Sequence, residues 1–426
     1  MKNDLLYDTD EKPPFGKWLI LALQHVFAMF GATILVPITI NAKAGAEVIP
    51  ISVALLTSGI GTLIYILSTK GKSPVYLGSS FSFVIPVVAA FNKDGLSGFV
   101  TGIIAVGLIY VLFAALIHIF GKEWIQKLLP PIVVGPMIMI IGLSLAPNAV
   151  GQIGLTGDSI VWQSLLVAAV SFLTTAVVAI YAKGFFKVIP FLVGIITGYI
   201  LSICLGIVDF TAVENASIFS IPRILIPFKD YTFSLAGLLT IAPIAIVSIS
   251  EHIGDHMALS SIIGKNLIKN PGLDRTLLGD GLATTVAGII GGPANTTYGE
   301  NTSVVGMTRV ASVWVIGLAA IISIALAFFG VIAAVFSTIP DPVLGGVSLL
   351  LYGFISVNGL KVLIENRIDF NDLKNVIIAS SMLILALGGA VITITTGELS
   401  VSITGMSLSA IVGVILNLIL KPNKNA

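Results

Sequence analysis

Three carboxylates, Glu251, Asp255 and Glu300, fall inside apolar sequence, while most of the other acids among the 21 Asp and Glu sit in loops or near segment ends. Asp280 is a fourth candidate of the same kind. A charged side chain at the centre of a membrane helix costs about 2.5–3.5 kcal/mol on insertion scales, so such groups persist where a partner, water or a solute meets them. Glu251 and Asp255 are four residues apart and therefore share one helix face. Repulsion between two acids so close favours one of them holding a proton. The pair thus has the chemistry of a solute ligand and a proton site; the alternative is a structural hydrogen-bond network between helices. Glu300 opens a helical stretch, where free N–H groups and the helix dipole favour an anion. It either caps that helix or faces a site, and the amides around Ser80-Phe81 and Tyr298-Gly299 could hold a polar solute beside it.

The four histidines point to structure more than chemistry. Gln24 and His25 lie within the first apolar run; ligand contact by His25 is the alternative to a structural hydrogen bond, and both residues are assigned to a structural hydrogen-bond network. His252 and His256 have the i, i+4 spacing of helical zinc sites, but Ile253 stands where a general base would follow, so no metal site is assigned.

The elements that must position these groups are membrane spans. The 426 residues are 56% hydrophobic and 10% charged, with mean hydropathy +1.05. Soluble domains carry roughly 25% charged residues. This composition excludes a disordered chain, a nucleic-acid binder and an ordinary cytosolic enzyme. Apolar runs fall at about 17–40, 49–69, 77–92, 96–120, 126–147, 160–182 and 187–208, then 232–261, 273–291, 294–310, 313–337, 341–357, 373–395 and 402–421. A helical span needs about 20 apolar residues, so fourteen spans are expected. The first run is too long for a signal-peptide core and reads as a retained span. With the N-terminus placed inside, eighteen of the 22 Lys and Arg fall on the inner side, among them Lys70, Lys187, Lys265 and Lys361. Lys43, Lys93, Arg223 and Lys229 fall outside. That asymmetry predicts both termini in the cytoplasm.

Two spans do not read as plain helices. Tyr76 to Phe83 and Pro293 to Glu300 are small, polar and alternating, and each precedes only two or three helical turns. Extended backbone at membrane depth survives only where protein or a cavity satisfies its amides. The breaks fall in the third and tenth spans, and Pro131 to Gly135 is echoed by Pro342 to Gly345. Seven is odd, so the second set of seven must run inverted relative to the first.

At these residues the sequence resembles the nucleobase–cation symporters, also called nucleobase–ascorbate transporters, and within them the bacterial uracil permeases. The resemblance covers nearly the whole chain and rests on Gln24 to Pro37, Tyr76 to Phe81, Glu251-His252, Asn295 to Asn301 and Gly345 to Gly353. It implies an all-α polytopic membrane protein of fourteen segments in two inverted sevens, with short strands in segments three and ten. The implied domains are a cytoplasmic tail (1–16), a core domain (17–120 and 231–338) and a gate domain (121–230 and 339–426, the latter with a short tail). The implied function is proton-coupled import of uracil across the inner membrane by alternating access, without enzymatic activity or a cofactor beyond the coupling proton. The implied assembly is a homodimer through the gate domains, surrounded by lipid. Carried over by residue, Glu251 accepts from ring N–H, Glu300 contacts the ring and joins proton coupling, and the amides of Phe81 and Gly299 bind ring carbonyls. Ser80 and Tyr298 line the pocket, and Tyr352 faces the substrate from the gate domain. Proton coupling is shared by Glu300, Asp255 and Glu251. Two positions depart from the family pattern: Asp255 replaces a histidine, and Ser303 replaces a glycine. Glu300 favours the uracil branch over purine carriers. The alternatives are a purine or xanthine carrier of the same family and an anion transporter of the same fold.

Overall fold

The computed structural model describes residues 5–156, 161–396 and 399–420. The first half comprises α1 (Phe15–Ala44), α2 (Ile51–Ser68), strand β1 (Leu77–Ser79), α3 (Val84–Phe120), α4 (Glu123–Leu128), α5 (Pro131–Ile153), α6 (Trp162–Tyr181) and α7 (Pro190–Cys204). After the short α8 (Thr211–Glu214) come α9 (Leu235–Ile241), α10 (Ala245–Ile263), α11 (Leu273–Ile289), β2 (Asn295–Thr297), α12 (Gly299–Thr308), α13 (Val313–Ala327) and α14 (Gly330–Ser337). The chain closes with α15 (Asp341–Glu365), α16 (Leu373–Leu387), strands β3 (Val391–Thr396) and β4 (Leu399–Thr404), and α17 (Gly405–Ile419). Among the described residues, seven helical stretches are long and apolar enough to cross a membrane. The tail residues 421–426, with Lys421 and Lys424, and Lys2 at the other end lie outside the described residues.

The expected breaks are present. Helix α3 leaves helical geometry at Asp94 and Gly95, between the third and fourth apolar runs. Gly95 has φ +59°, a left-handed backbone that glycine adopts without steric cost. The two extended stretches form β1 and β2, which pair antiparallel with Leu77 opposite Thr297, Gly78 opposite Thr296 and Ser79 opposite Asn295. Two further bonds lengthen the ribbon: Ser80 N–H donates to the Ala294 carbonyl (3.0 Å) and Tyr298 N–H to that of Tyr76 (3.1 Å).

A two-stranded ribbon has two open edges, and inside a membrane these need partners. Neighbouring helices supply them. Thr62 of α2 accepts from Leu77 N–H (2.9 Å), and Ser58 donates to the Leu77 carbonyl (2.7 Å). On the far edge Thr284 of α11 accepts from Asn295 N–H and donates to its carbonyl, both at 3.2 Å. Hydroxyls in α2 and α11 therefore do the work that further strands would do in a soluble sheet.

One region departs from expectation. The thirteenth and fourteenth apolar runs predict helix through 395 and from 402, but α16 stops at Leu387 and α17 starts at Gly405. Between them β3 and β4 pair from Val391–Thr404 to Thr396–Leu399. The cause is legible: Val391-Ile-Thr-Ile-Thr395 alternates with a period of two and is β-branched throughout, which suits a strand better than a helix. High hydropathy masked that period.

Helix packing relies on small residues. Helices α5 and α15 cross so closely that a Cβ on Gly142 would lie 2.2 Å from the Tyr352 carbonyl, and one on Gly359 would lie 2.5 Å from that of Gly135. Close backbone approach of this kind is how helices associate where lipid offers no hydrophobic drive. Large apolar side chains such as Leu173, Ile180 and Ile384 are exposed on the outer faces of α6 and α16.

The N-terminal segment is strapped across helix ends. Leu6 N–H donates to the Arg309 carbonyl, and Ala311 and Val313 donate to those of Tyr7 and Thr9. Lys265, just past α10, bonds Asp8 (2.5 Å) and Thr9 (3.0 Å), and Lys12 lies 4.2 Å from the Trp18 ring centroid. Partial burial alone would push the Asp8 carboxyl up, but its bonds from Lys265 and Thr9 N–H outweigh that and hold it below its ordinary value. A carboxyl so lowered stabilises the folded form above its unfolded value near 3.8 and loses that contribution as pH falls through the folded one. Exposed pairs contribute about 0.2–1 kcal/mol. Asp8→Asn should therefore lower the hydrogen-exchange protection of the Ala311 and Val313 amides about 1.5- to 5-fold at pH 7. The difference from wild type should vanish below the acid transition; equal protection at pH 7 would contradict the strap.

Candidate functional site

The ribbon ends point at one place. Chain leaving β1 turns at Phe81 into α3, and chain leaving β2 enters α12 at Gly299. Neither Ser80 nor Tyr298, the residues before these turns, caps the following helix with its side chain. The first-turn N–H groups of both helical starts thus lack intrahelical acceptors, as at every helix N-terminus. Their partial positive charge favours anions and carbonyl oxygens.

Helix α10 faces these two starts with its acids. Glu251 Oε2 accepts at 3.4 Å from both Ser82 and Thr296, and Asp255 Oδ2 accepts at 2.7 Å from Thr297. Glu300 occupies the first turn of α12. A cavity of about 1070 Å³ brings Glu251, Asp255, Glu300, Phe81, Tyr298 and Gly299 onto a common wall. The opposite wall comes from α5 and α15, through residues such as Val134, Ile138, Leu351, Phe354 and Asn358. The cavity continues to Lys361 and Glu365, whose side chains are 65% and 58% exposed, so that end is open.

Two expected lining residues stand behind the wall. Ser80 is buried with its hydroxyl unpartnered, and Ser79 borders the cavity instead. Tyr352 is 2% exposed and packs edge-on against Phe81, with ring centroids 5.5 Å apart. Tyr298 is anchored by its hydroxyl, which accepts from Thr33 (3.0 Å) and donates to the Ser79 carbonyl (3.1 Å). His25 ties α1 to α12: Asn301 Nδ2 lies 3.1 Å from its Nδ1 and 3.2 Å from its carbonyl. Gln24 takes no part in that link, and its buried Oε1 is unpartnered.

The other face of α10 is held by a buried polar network. His252 Nδ1 meets Asp280 of α11 at 2.9 Å, and its Nε2 meets Thr276 at 3.0 Å. His256 Nδ1 lies 2.7 Å from the His252 carbonyl, which can only accept, so that nitrogen carries the hydrogen. Its Nε2 is then free to accept from the Tyr65 hydroxyl at 2.6 Å, and Tyr65 in turn pairs with Ser73 at 2.9 Å. All of these side chains are fully buried. These contacts anchor α10 to α11 and α2. Asp280, the fourth acid in apolar sequence, lies in this network and off the cavity.

Thr297 and Asn358 went unnoticed in the sequence. Thr297 sits inside the motif already singled out, so its proximity to Asp255 was open to inference. Asn358 carries no such signal: it is one amide in a long apolar helix.

Carboxylate acceptors and amide donors gathered on one wall of a single cavity suit a small planar solute with alternating N–H and C=O groups. That geometry depends on the close fit of the ribbon to Tyr298, since a Cβ on Gly78 would lie 2.4 Å from its ring. Gly78→Ala should cost about 1–3 kcal/mol of stability, read as a lower thermal midpoint in detergent. An unchanged midpoint would contradict the packing.

Comparison with known proteins agrees with this architecture. Residues 16–420 match the model of a permease family. The uracil permease of Bacillus caldolyticus is 46% identical over 422 residues, covering 98% of this chain and 95% of that protein. The uracil permease of Escherichia coli K12 is 41% identical over 417 residues, covering 96% and 93%. Among solved structures, the transmembrane domain of the cyanobacterial bicarbonate transporter BicA aligns with TM-score 0.63 at 14% identity, over 96% of this chain and 99% of that one. The murine anion transporter Slc26a9 in its inward-facing state aligns with TM-score 0.64 at 14% identity, over 96% and 68%. At such identity these two structures speak for the fold alone.

Proposed function

The chain belongs to the permease family, and from that premise we propose that it is a proton-coupled symporter importing uracil across a bacterial cytoplasmic membrane by alternating access. It is an integral membrane protein, and its relatives are permeases, which are transporters rather than enzymes. The observation that carries the substrate reading is the convergence of Glu251 and Glu300 with the helix starts at Phe81 and Gly299 on one cavity. Uracil presents ring N–H donors beside carbonyl acceptors, so carboxylates and amides complement it edge for edge. An anion carrier would place basic or neutral groups there, whereas the inner wall of this site is acidic.

Proton coupling follows from the same acids. Three carboxylates on one wall at membrane depth repel one another, and a proton shared among Glu251, Asp255 and Glu300 relieves that cost. In this reading protonation favours uracil binding from outside, and release of both follows inside. Helices α1–α3 and α9–α14 act as the core, α4–α8 and α15–α17 as the gate, and the core rocks against the gate. The fourteen segments divide into two inverted sevens around β1 and β2, whose antiparallel pairing supports the inversion. Both termini lie in the cytoplasm, in keeping with the charge asymmetry. The open end of the cavity, beside Lys187 and Lys361, then faces inward. A homodimer through the gate helices completes the proposal.

The test is uptake of radiolabelled uracil into proteoliposomes. Accumulation above equilibrium is expected only with an inward proton gradient. Glu251→Gln, which replaces a charged acceptor, should weaken uracil binding about 10- to 100-fold with unaltered folding. Unchanged uptake by that variant, or accumulation without a gradient, would contradict the proposal.

A further inference from the structure

The α15 side of the cavity is apolar where it faces the acids, through Leu351, Phe354 and Ile355, until it reaches Asn358. This side chain is exposed to the cavity and makes no hydrogen bond to the described residues. A Cβ on Gly299 would stand 4.0 Å from Asn358 Nδ2 and 3.9 Å from Asp255 Oδ1. Asn358 thus reaches, from the opposite wall, the same helix start that carries the Gly299 amide. An amide enclosed without a partner is costly, so closure of α15 on the acid wall requires an acceptor at this point.

We infer that Asn358 is a substrate-reading residue: its Nδ2 donates to the uracil carbonyl that the Gly299 N–H also holds, so the base is gripped from both walls. The inference rests on the uracil reading above. A carbonyl oxygen has two acceptor sites, and one donor from each wall fills them. The second hydrogen on Nδ2 is left for Asp255 Oδ1, which stands 3.9 Å from the same Gly299 Cβ position and whose sister oxygen is engaged by Thr297. A ring lacking a good acceptor at that carbonyl leaves both Asn358 and Gly299 unsatisfied. Asn358 therefore adds discrimination as well as affinity.

The test is equilibrium binding to the purified full-length chain of uracil, 2-thiouracil and 4-thiouracil, each thio analogue carrying a weaker acceptor at one carbonyl. Wild type is expected to disfavour one of the two. Asn358→Ala should weaken uracil about tenfold, leave that disfavoured analogue nearly unchanged, and weaken the other analogue as it weakens uracil. Asn358→Ser, which keeps a donor, should restore part of the discrimination. Equal weakening of all three ligands would mark a merely structural residue and overturn the inference, as would unchanged uracil binding. Failure of the wild type to bind uracil is seen before any variant is made, and it would overturn the substrate reading together with this inference.

Discussion

Two strands of three residues each, paired antiparallel inside a helical membrane protein, are the constraint on which the site depends. Extended backbone at this depth is intolerable unless every N–H and C=O finds a partner. Pairing satisfies the inner edges, and Ser58, Thr62 and Thr284 satisfy the outer ones. In exchange, the chain gains two helix starts that face each other in the middle of the fold. Their unpaired amides are donors that no continuous membrane helix could present at that depth. Small residues follow from this need: Gly78 lies under the Tyr298 ring, and Gly61 leaves room for the Asn295 side chain.

Helix α10 brings the complementary acceptors and is correspondingly two-sided. Glu251 and Asp255 face the cavity, while His252 and His256 face α11 and α2. The buried links to Asp280, Thr276 and Tyr65 fix the rotation of the helix, and so decide which residues face the cavity. Fixing it from behind leaves the acids in front only lightly bonded, through Ser82, Thr296 and Thr297. Groups that must exchange a proton or accept from a ligand are better placed when few protein donors compete for them.

Much of this was legible in the sequence because membrane constraints are severe. Apolar runs gave the helices, and small alternating residues at Tyr76–Phe83 and Pro293–Glu300 exposed the two strands. Isolated acids in apolar sequence identified Glu251, Asp255 and Glu300. What escaped depends on three-dimensional neighbours. The paired strands β3 and β4 were hidden because β-branched apolar residues score as membrane helix by hydropathy. Tyr352 was expected to face the solute, but the close α5–α15 crossing at Gly142 and Gly359 leaves it buried against Phe81. Asn358 reads as a single polar residue in α15, and only the placement of Gly299 and Asp255 across the cavity gives it meaning. Asp280 could not be assigned because pairing with His252 joins residues 28 apart in sequence.

The central claim is that the paired helix starts and the α10 acids form one solute site. The most direct measurement is an experimental density map of the protein determined with uracil bound. The base is expected between the amides of Phe81 and Gly299, with a Glu251 carboxylate oxygen within hydrogen-bond distance of a ring nitrogen. Uracil seated away from both amides, or bound without contact to Glu251, would contradict it.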